Sequence, residues 1–226
     1  MKTLLSTLIL LYSIASFAGE FEVKLDDFTE LKARGNYKVT LKKGEENVAR
    51  IINNDPEVDD EKFELEVEGN VLEVKIKGDI AKERDVEIII TYKTLHAIES
   101  YRGCWLVAED VLEGDAITLK VDTGGKIKAG VNTKSLTCKI LSGGSIRVKG
   151  SADFAEYSIS AGGTIGAIDV DCPNTLAKVK AGGEVICTAN DKLEIKITTG
   201  GTVSYKGNPK ELKEKVLGGT VEKLKD

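Results

Sequence analysis

TGGKI (123–127), SGGSI (142–146), AGGTI (161–165), AGGEV (181–185) and TGGTV (199–203) are one phrase written five times, and LGGTV (217–221) is a sixth, less regular copy. The first glycine of each pair falls at 124, 143, 162, 182, 200 and 218, so the copies are 19, 19, 20, 18 and 18 residues apart. A period near twenty with short strand-like segments between is the mark of a solenoid. Each repeat is one coil, and it buries its apolar side only by stacking on its neighbours.

Aligning the coils on the first glycine tests this. Three residues before it stand Val121, Ile140, Ile159, Val179 and Ile197; five before stand Leu119, Cys138, Tyr157, Ala177 and Ile195. Three after stand Ile127, Ile146, Ile165, Val185 and Val203; five after stand Ala129, Val148, Ala167, Cys187 and Tyr205. The offsets keep one parity on each side of the pair, which is the two-residue alternation of a strand with one face buried. Each coil therefore carries two strands, and stacking puts like positions about 4.8 Å apart as continuous apolar ladders. Gly124–Gly125, Gly143–Gly144, Gly162–Gly163, Gly182–Gly183, Gly200–Gly201 and Gly218–Gly219 mark the corner between the strands. YRGCWLVA (101–108) is a degenerate earlier copy. One glycine mark per coil, instead of three per 18 residues, argues against a left-handed hexapeptide helix. The expected fold is all-β, a right-handed parallel β-helix (β-solenoid) of ~19-residue coils over 94–226 behind a less regular β portion over 19–93.

That earlier portion reads as strands at YKVTL (37–41), FELEVEG (63–69), VLEVKIKG (71–78) and VEIIITY (86–92), with Gly69-Asn70 as a hairpin turn. NNDPEVDDEK (53–62) is a polar loop; its Asp59-Asp60-Glu61 cluster lacks the spaced ligands of a calcium loop and reads as a solvated turn. The first 18 residues differ in kind. Lys2, an apolar run over Leu4–Ile14 and small residues before Gly19 form a secretory signal peptide, too short to span a membrane. The expected setting is therefore exported: periplasm, cell surface or extracellular space.

The signal, the opening block FTELKARGNYKVTLKKG (28–44) and the [TSA]GG-x-[IV] coils together resemble the head GIN-domain family of putative autotransporter adhesins, over roughly residues 25–222. The resemblance implies a right-handed β-helix, related in shape to pectin lyases, a cell-envelope or surface setting and an adhesion role. It brings no catalytic residues. The chain closes on TVEKLKD (220–226) with no membrane-barrel region, so the resemblance implies no self-transport.

The chemistry legible in the residues is sparse. Net charge is −5, with 32 basic and 37 acidic residues interspersed, so there is no basic stripe for nucleic acid. Cys104, Cys138, Cys172 and Cys187 match no metal or redox spacing and read as buried apolar residues, with one disulfide left open. His96, the sole histidine, has no partner for a metal pair or triad. The glycine pairs fit no phosphate-binding loop. No cofactor or metal is implied.

Among outward acids, Asp169 and Asp171 form the best candidate for the carboxylate pair of a carbohydrate-active β-helix enzyme. Four residues before the glycines run Lys120, Lys139, Ser158, Lys178 and Lys196, a ladder suited to shielding an exposed sheet or to meeting an anionic glycan. Trp105, Tyr101 and Tyr92 are candidates for a sugar-stacking platform, and NPKELKEKV (208–216) has helix-like spacing that suits an end cap. Three functions stand open: a non-catalytic surface protein binding a glycan or envelope component, a polysaccharide lyase or hydrolase, and a structural scaffold that self-associates.

Overall fold

The computed structural model describes residues 19–78 and 82–225. The signal-peptide segment 1–18 lies outside the described residues. What is described is a β-solenoid of about seven turns with ~19-residue spacing.

Every coil contributes to two ladders of paired strands, one before and one after its glycine corner. Three long strands serve both: β9 (Trp105–Asp122), β10 (Lys126–Ser142) and β11 (Ser145–Ala161). The first part of each pairs in the post-glycine ladder and the last part in the pre-glycine ladder. In later coils the two parts are separate strands: β12 (Thr164–Asp171) and β13 (Asn174–Ala181), β14 (Glu184–Thr188) and β15 (Lys192–Thr199), then β16 (Thr202–Lys206), β17 (Glu211–Val216) and β18 (Thr220–Lys223). All these pairings are parallel, and they keep the register that the glycine alignment gives except at bulges between β9 and β10 and between β11 and β12 and for a one-residue offset where β17 meets β15. Val121, Ile140, Ile159, Val179 and Ile197 stand in one row, as do Ile127, Ile146, Ile165, Val185 and Val203. No member of either row is more than 2% exposed. Each such side chain contributes about 1.5–3 kcal/mol by leaving water, so the stacked rows hold the coils together.

The two glycines of a corner do different work. In the third copy Gly162 has φ +64° with open space where a Cβ would be, whereas Gly163 has φ +102° and a Cβ there would lie 2.8 Å from the Gly144 carbonyl oxygen of the coil before. In the first copy the left-handed pair is instead Thr123–Gly124, as in the degenerate corner Arg102–Gly103 one coil earlier.

The described residues from 19 to 93 also coil, but in permuted order. β2 (Glu30–Arg34) and β3 (Asn36–Lys43) form a coil that lies between later segments of chain. β6 (Val71–Ile76) and β8 (Ala97–Tyr101) flank β2, while β7 (Glu83–Tyr92) and the start of β9 flank β3. Beyond them antiparallel strands close the end. β1 (Glu20–Lys24) pairs with β4 (Val48–Asn53), β4 with β7, and β5 (Phe63–Glu68) with β6. Gly69-Asn70 turns that last hairpin, and Phe21 meets Phe63 edge-on at 5.7 Å to join the two ladders at this end.

At the other end the sequence expectation is corrected. Residues 211–216 form no helical cap: they are β17, a strand laid on β15, because Ile195 and Ile197 offer an open backbone edge that only a strand can satisfy. Glu214 takes the inward register position beside Ile195, and Lys223 that beside Tyr205, so charges end two of the apolar rows in the last coil while Leu212, Val216 and Val221 continue others.

Candidate functional site

The lysine ladder stands where the spacing puts it. Lys120, Lys139, Ser158, Lys178, Lys196 and then Lys215 share one outward row of the pre-glycine ladder, and Glu99 precedes them. Most of its charge is answered by acids of the same row or the adjoining one. Lys120 Nζ lies 3.1 Å from both Glu99 Oε2 and the Tyr101 hydroxyl; Lys178 Nζ donates to Glu156 Oε1 at 2.9 Å; Lys196 Nζ is 2.6 Å from Glu194 Oε1. Burial works against the Lys120 ammonium, but its bonds to Tyr101 and Glu99 outweigh that and hold its pKa above the usual lysine value. The Lys196 hydrogen bond likewise holds the Glu194 carboxyl below its usual range. Lys139 has no ion pair among the described residues.

The post-glycine ladder is arranged differently. Lys126 and Lys128 alternate outward on β10, and on β11 Arg147 sits in register with Lys128 and Lys149 with Gly130. These four cations occupy adjacent strands, and among the described residues none is ion-paired. The strands outside them are bulged. β9 inserts extra residues between Val107 and Val111, and β12 inserts one between Gly166 and Asp169. The bulges lift Val111 and Ile168, 48% and 37% exposed, into walls beside the two regular strands. The result is an open trough of about 640 Å³ lined by Val107, Val111, Lys128, Gly130, Arg147, Lys149, Ile168 and Asp169, among others.

The trough's acids stand on its outer strands. Glu109 pairs with Lys42 at 3.3 Å, and Asp110 accepts the Lys43 backbone N–H at 2.7 Å. Asp169 is in register with Lys149.

Of the three aromatic candidates Trp105 is exposed, Tyr101 half-buried and Tyr92 buried. Trp105 is 47% exposed, in register between Lys38 and Lys126, with the Lys38 ammonium 6.0 Å from its ring centroid. The Tyr101 hydroxyl donates to Glu99. The carboxylates of the enzyme reading separate: Asp169 lines the trough, but Asp171 does not, and it accepts a hydrogen bond from Asn190 Nδ2 at 3.1 Å. Asp59 pairs with Lys62 beside a single 3-10 turn over Asp60–Lys62. All four cysteines are free and buried. Burial pushes the thiols of Cys104, Cys138 and Cys172 up, and that of Cys187 up to about 12.

The cationic cluster, whose Lys128, Arg147 and Lys149 line the trough while Lys126 stands beside Trp105, was missed in the sequence because its members fall at three offsets, two, four and six after the glycine, and the register shifts at each bulge. The signal that finds it is the sequence Lys126, Lys128, Arg147, Lys149, whose outward cations are offered no acid in the same rows of β10 and β11.

The comparisons with known proteins follow this architecture. The family model described as "Putative auto-transporter adhesin, head GIN domain" matches residues 27–209. A crystal structure described as a putative adhesin from Parabacteroides merdae is 23% identical, covering 91% of this chain and 95% of its own at a TM-score of 0.71. One from Bacteroides fragilis, also described as a putative adhesin, is 20% identical with 91% and 96% covered at a TM-score of 0.77. A "putative lipid binding protein" from Parabacteroides distasonis is 18% identical with the same coverage and a TM-score of 0.72. At these identities the likeness is one of fold. No curated protein matches the chain.

Proposed function

The chain belongs to the head GIN-domain family of "putative auto-transporter adhesins", and from that premise we propose that it is an exported, non-catalytic binding module that meets a surface component through the outward face of its post-glycine ladder. The observation that carries this reading is Trp105, a half-exposed indole held between Lys38 and Lys126 on β9, the strand whose Val107, two residues on, lines the open trough. Placing a large aromatic on a solvent-facing strand forgoes its burial, and exposed aromatics beside cations are how interfaces supply contact area. Export is supported by the leader-like residues 1–18. The binding reading is favoured over a glycan-cleaving one because Asp171 stands outside the trough that Asp169 lines.

Two measurements test it. Fractionation of expressing cells followed by N-terminal sequencing is expected to find a product outside the cytoplasm beginning at Gly19; an intact, cytoplasmic chain would refute export. Beads coated with the protein are expected to retain intact bacterial or epithelial cells, and a Trp105→Ala coating to retain fewer. Retention no better than on albumin-coated beads refutes the binding role.

A further inference from the structure

Resting on that reading, we propose that the ligand is an acidic polysaccharide, its carboxylate or sulfate groups lying on Lys126, Lys128, Arg147 and Lys149 and one sugar ring against Trp105. On the pre-glycine ladder Lys120, Lys178 and Lys196 each have a carboxylate within 3.1 Å. On the post-glycine ladder Lys128 faces Arg147 directly across a strand pair, flanked by Lys126 and Lys149, and among the described residues none of the four has an acid within ion-pairing distance. Like charges on neighbouring strands repel. The fold neutralises three lysines of one row internally, Lys139 not among them, and leaves this cluster of four adjacent cations for an external anion.

The ligand's shape follows from the site's shape. From Trp105 on β9 through β10 and β11 to Ile168 on β12 the surface crosses four strands, roughly 14 Å at the spacing of paired strands. Charge spread over that width suits a chain bearing repeated anionic groups better than a single phosphate. The trough is open, with Val111 and Ile168 only as walls, so it encloses no acyl chain. The acids Glu109, Asp110 and Asp169 stand on the outer strands and keep a polyanion on the central two. The exposed indole face packs against the C–H face of a pyranose ring, which distinguishes a sugar from an acidic peptide.

The test measures binding of the protein lacking the leader-like residues 1–18 to polygalacturonate, heparin, neutral dextran and poly-glutamate at low and physiological salt. The wild type is expected to bind the two acidic polysaccharides, more weakly as salt rises, and to ignore dextran. Charge-assisted contacts are worth about tenfold or more each, so Lys128→Glu with Arg147→Glu is expected to weaken binding by at least about a hundredfold. Trp105→Ala is expected to weaken polygalacturonate but not poly-glutamate. Circular dichroism and the melting temperature confirm that each variant folds. Loss of binding in Lys178→Glu with the trough variants unaffected overturns the proposal, as does equal binding of poly-glutamate and polygalacturonate with no effect of Trp105→Ala. If no polyanion binds while coated beads still retain cells, the ligand class is wrong and the adhesion reading stands; if the beads fail too, both fall.

Discussion

The paired glycines divide their labour, and alanine at each in turn measures the division. At Gly162 the backbone has φ +64° and nothing lies within 4 Å of a built Cβ. Gly162→Ala therefore meets only the left-handed penalty, about 1–2 kcal/mol for an L-residue. At Gly163 φ is +102°, outside the left-handed well, and the Cβ would sit 2.8 Å from the Gly144 carbonyl oxygen and 3.0 Å from Ile140 Cγ2. Backbone strain of about 1–3 kcal/mol adds to overpacking of about 1–3 kcal/mol, so Gly163→Ala is expected to cost about 2–6 kcal/mol. For a chain of this size about 1 kcal/mol moves Tm by about 2–4 °C. The first variant should melt about 2–8 °C below wild type and the second further below, by about 4–24 °C. Differential scanning calorimetry reads both, and because the two sites share one coil they report on one unit of a repeat protein. Gly162→Asn, which tolerates the left-handed region, should fall closer to wild type than Gly162→Ala. Equal losses at 162 and 163, or a milder loss at 163, would refute the argument that the second glycine is fixed by the neighbouring coil.

Tyr157 is fully buried and its hydroxyl has no hydrogen-bond partner among the described residues, so Tyr157→Phe should stabilise the fold by about 1 kcal/mol, read as a higher urea midpoint; a lower one means that the hydroxyl is satisfied. With all four thiols buried and their pKa values raised chiefly by that burial, a thiol reagent should label none in the native protein and four in urea, with or without prior reductant; fewer than four under denaturation without reductant would reveal a disulfide. Burial tends to raise the Glu87 carboxyl, but hydrogen bonds from Lys38 and Thr40 prevail and hold it below its ordinary value. A carboxylate depressed in the folded state contributes stability that is complete above its unfolded pKa and is lost as pH falls through the folded one, so Glu87→Gln should lower stability at neutral pH and flatten the acid limb of a stability–pH curve; an unchanged limb refutes the assignment. Glu214 occupies an inward position in the last coil beside Ile195, where an inward charge discourages edge-to-edge pairing. Glu214→Leu should therefore shift sedimentation toward dimers or larger species, and a variant as monomeric as wild type would show that the edge is guarded otherwise.

The columns three and five residues either side of the glycines were legible because they rest on two local facts: strand alternation has period two, and a solenoid repeats it at a constant offset. Val121 through Ile197 and Ile127 through Val203 could be assigned to the core without knowing which coil touched which. The tail was misread for the same reason in reverse. KELKEKV carries both a helical charge spacing and a strand-like alternation, and only the open edge of β15 chooses between them.

The sequence by itself determined how each coil turns and which side chains it buries, since both are set within about twenty residues by glycine geometry and strand parity. The tertiary structure alone decided the order of the first coils, with 30–43 lodged between 71–92 and 97–108, because parallel pairing joins segments with no local signal of their partners. It alone decided which charges are neutralised. Lys178 finds Glu156 one coil away and diagonally placed, whereas Lys128 and Arg147 meet only each other across β10 and β11, between two bulges that no repeat pattern announces.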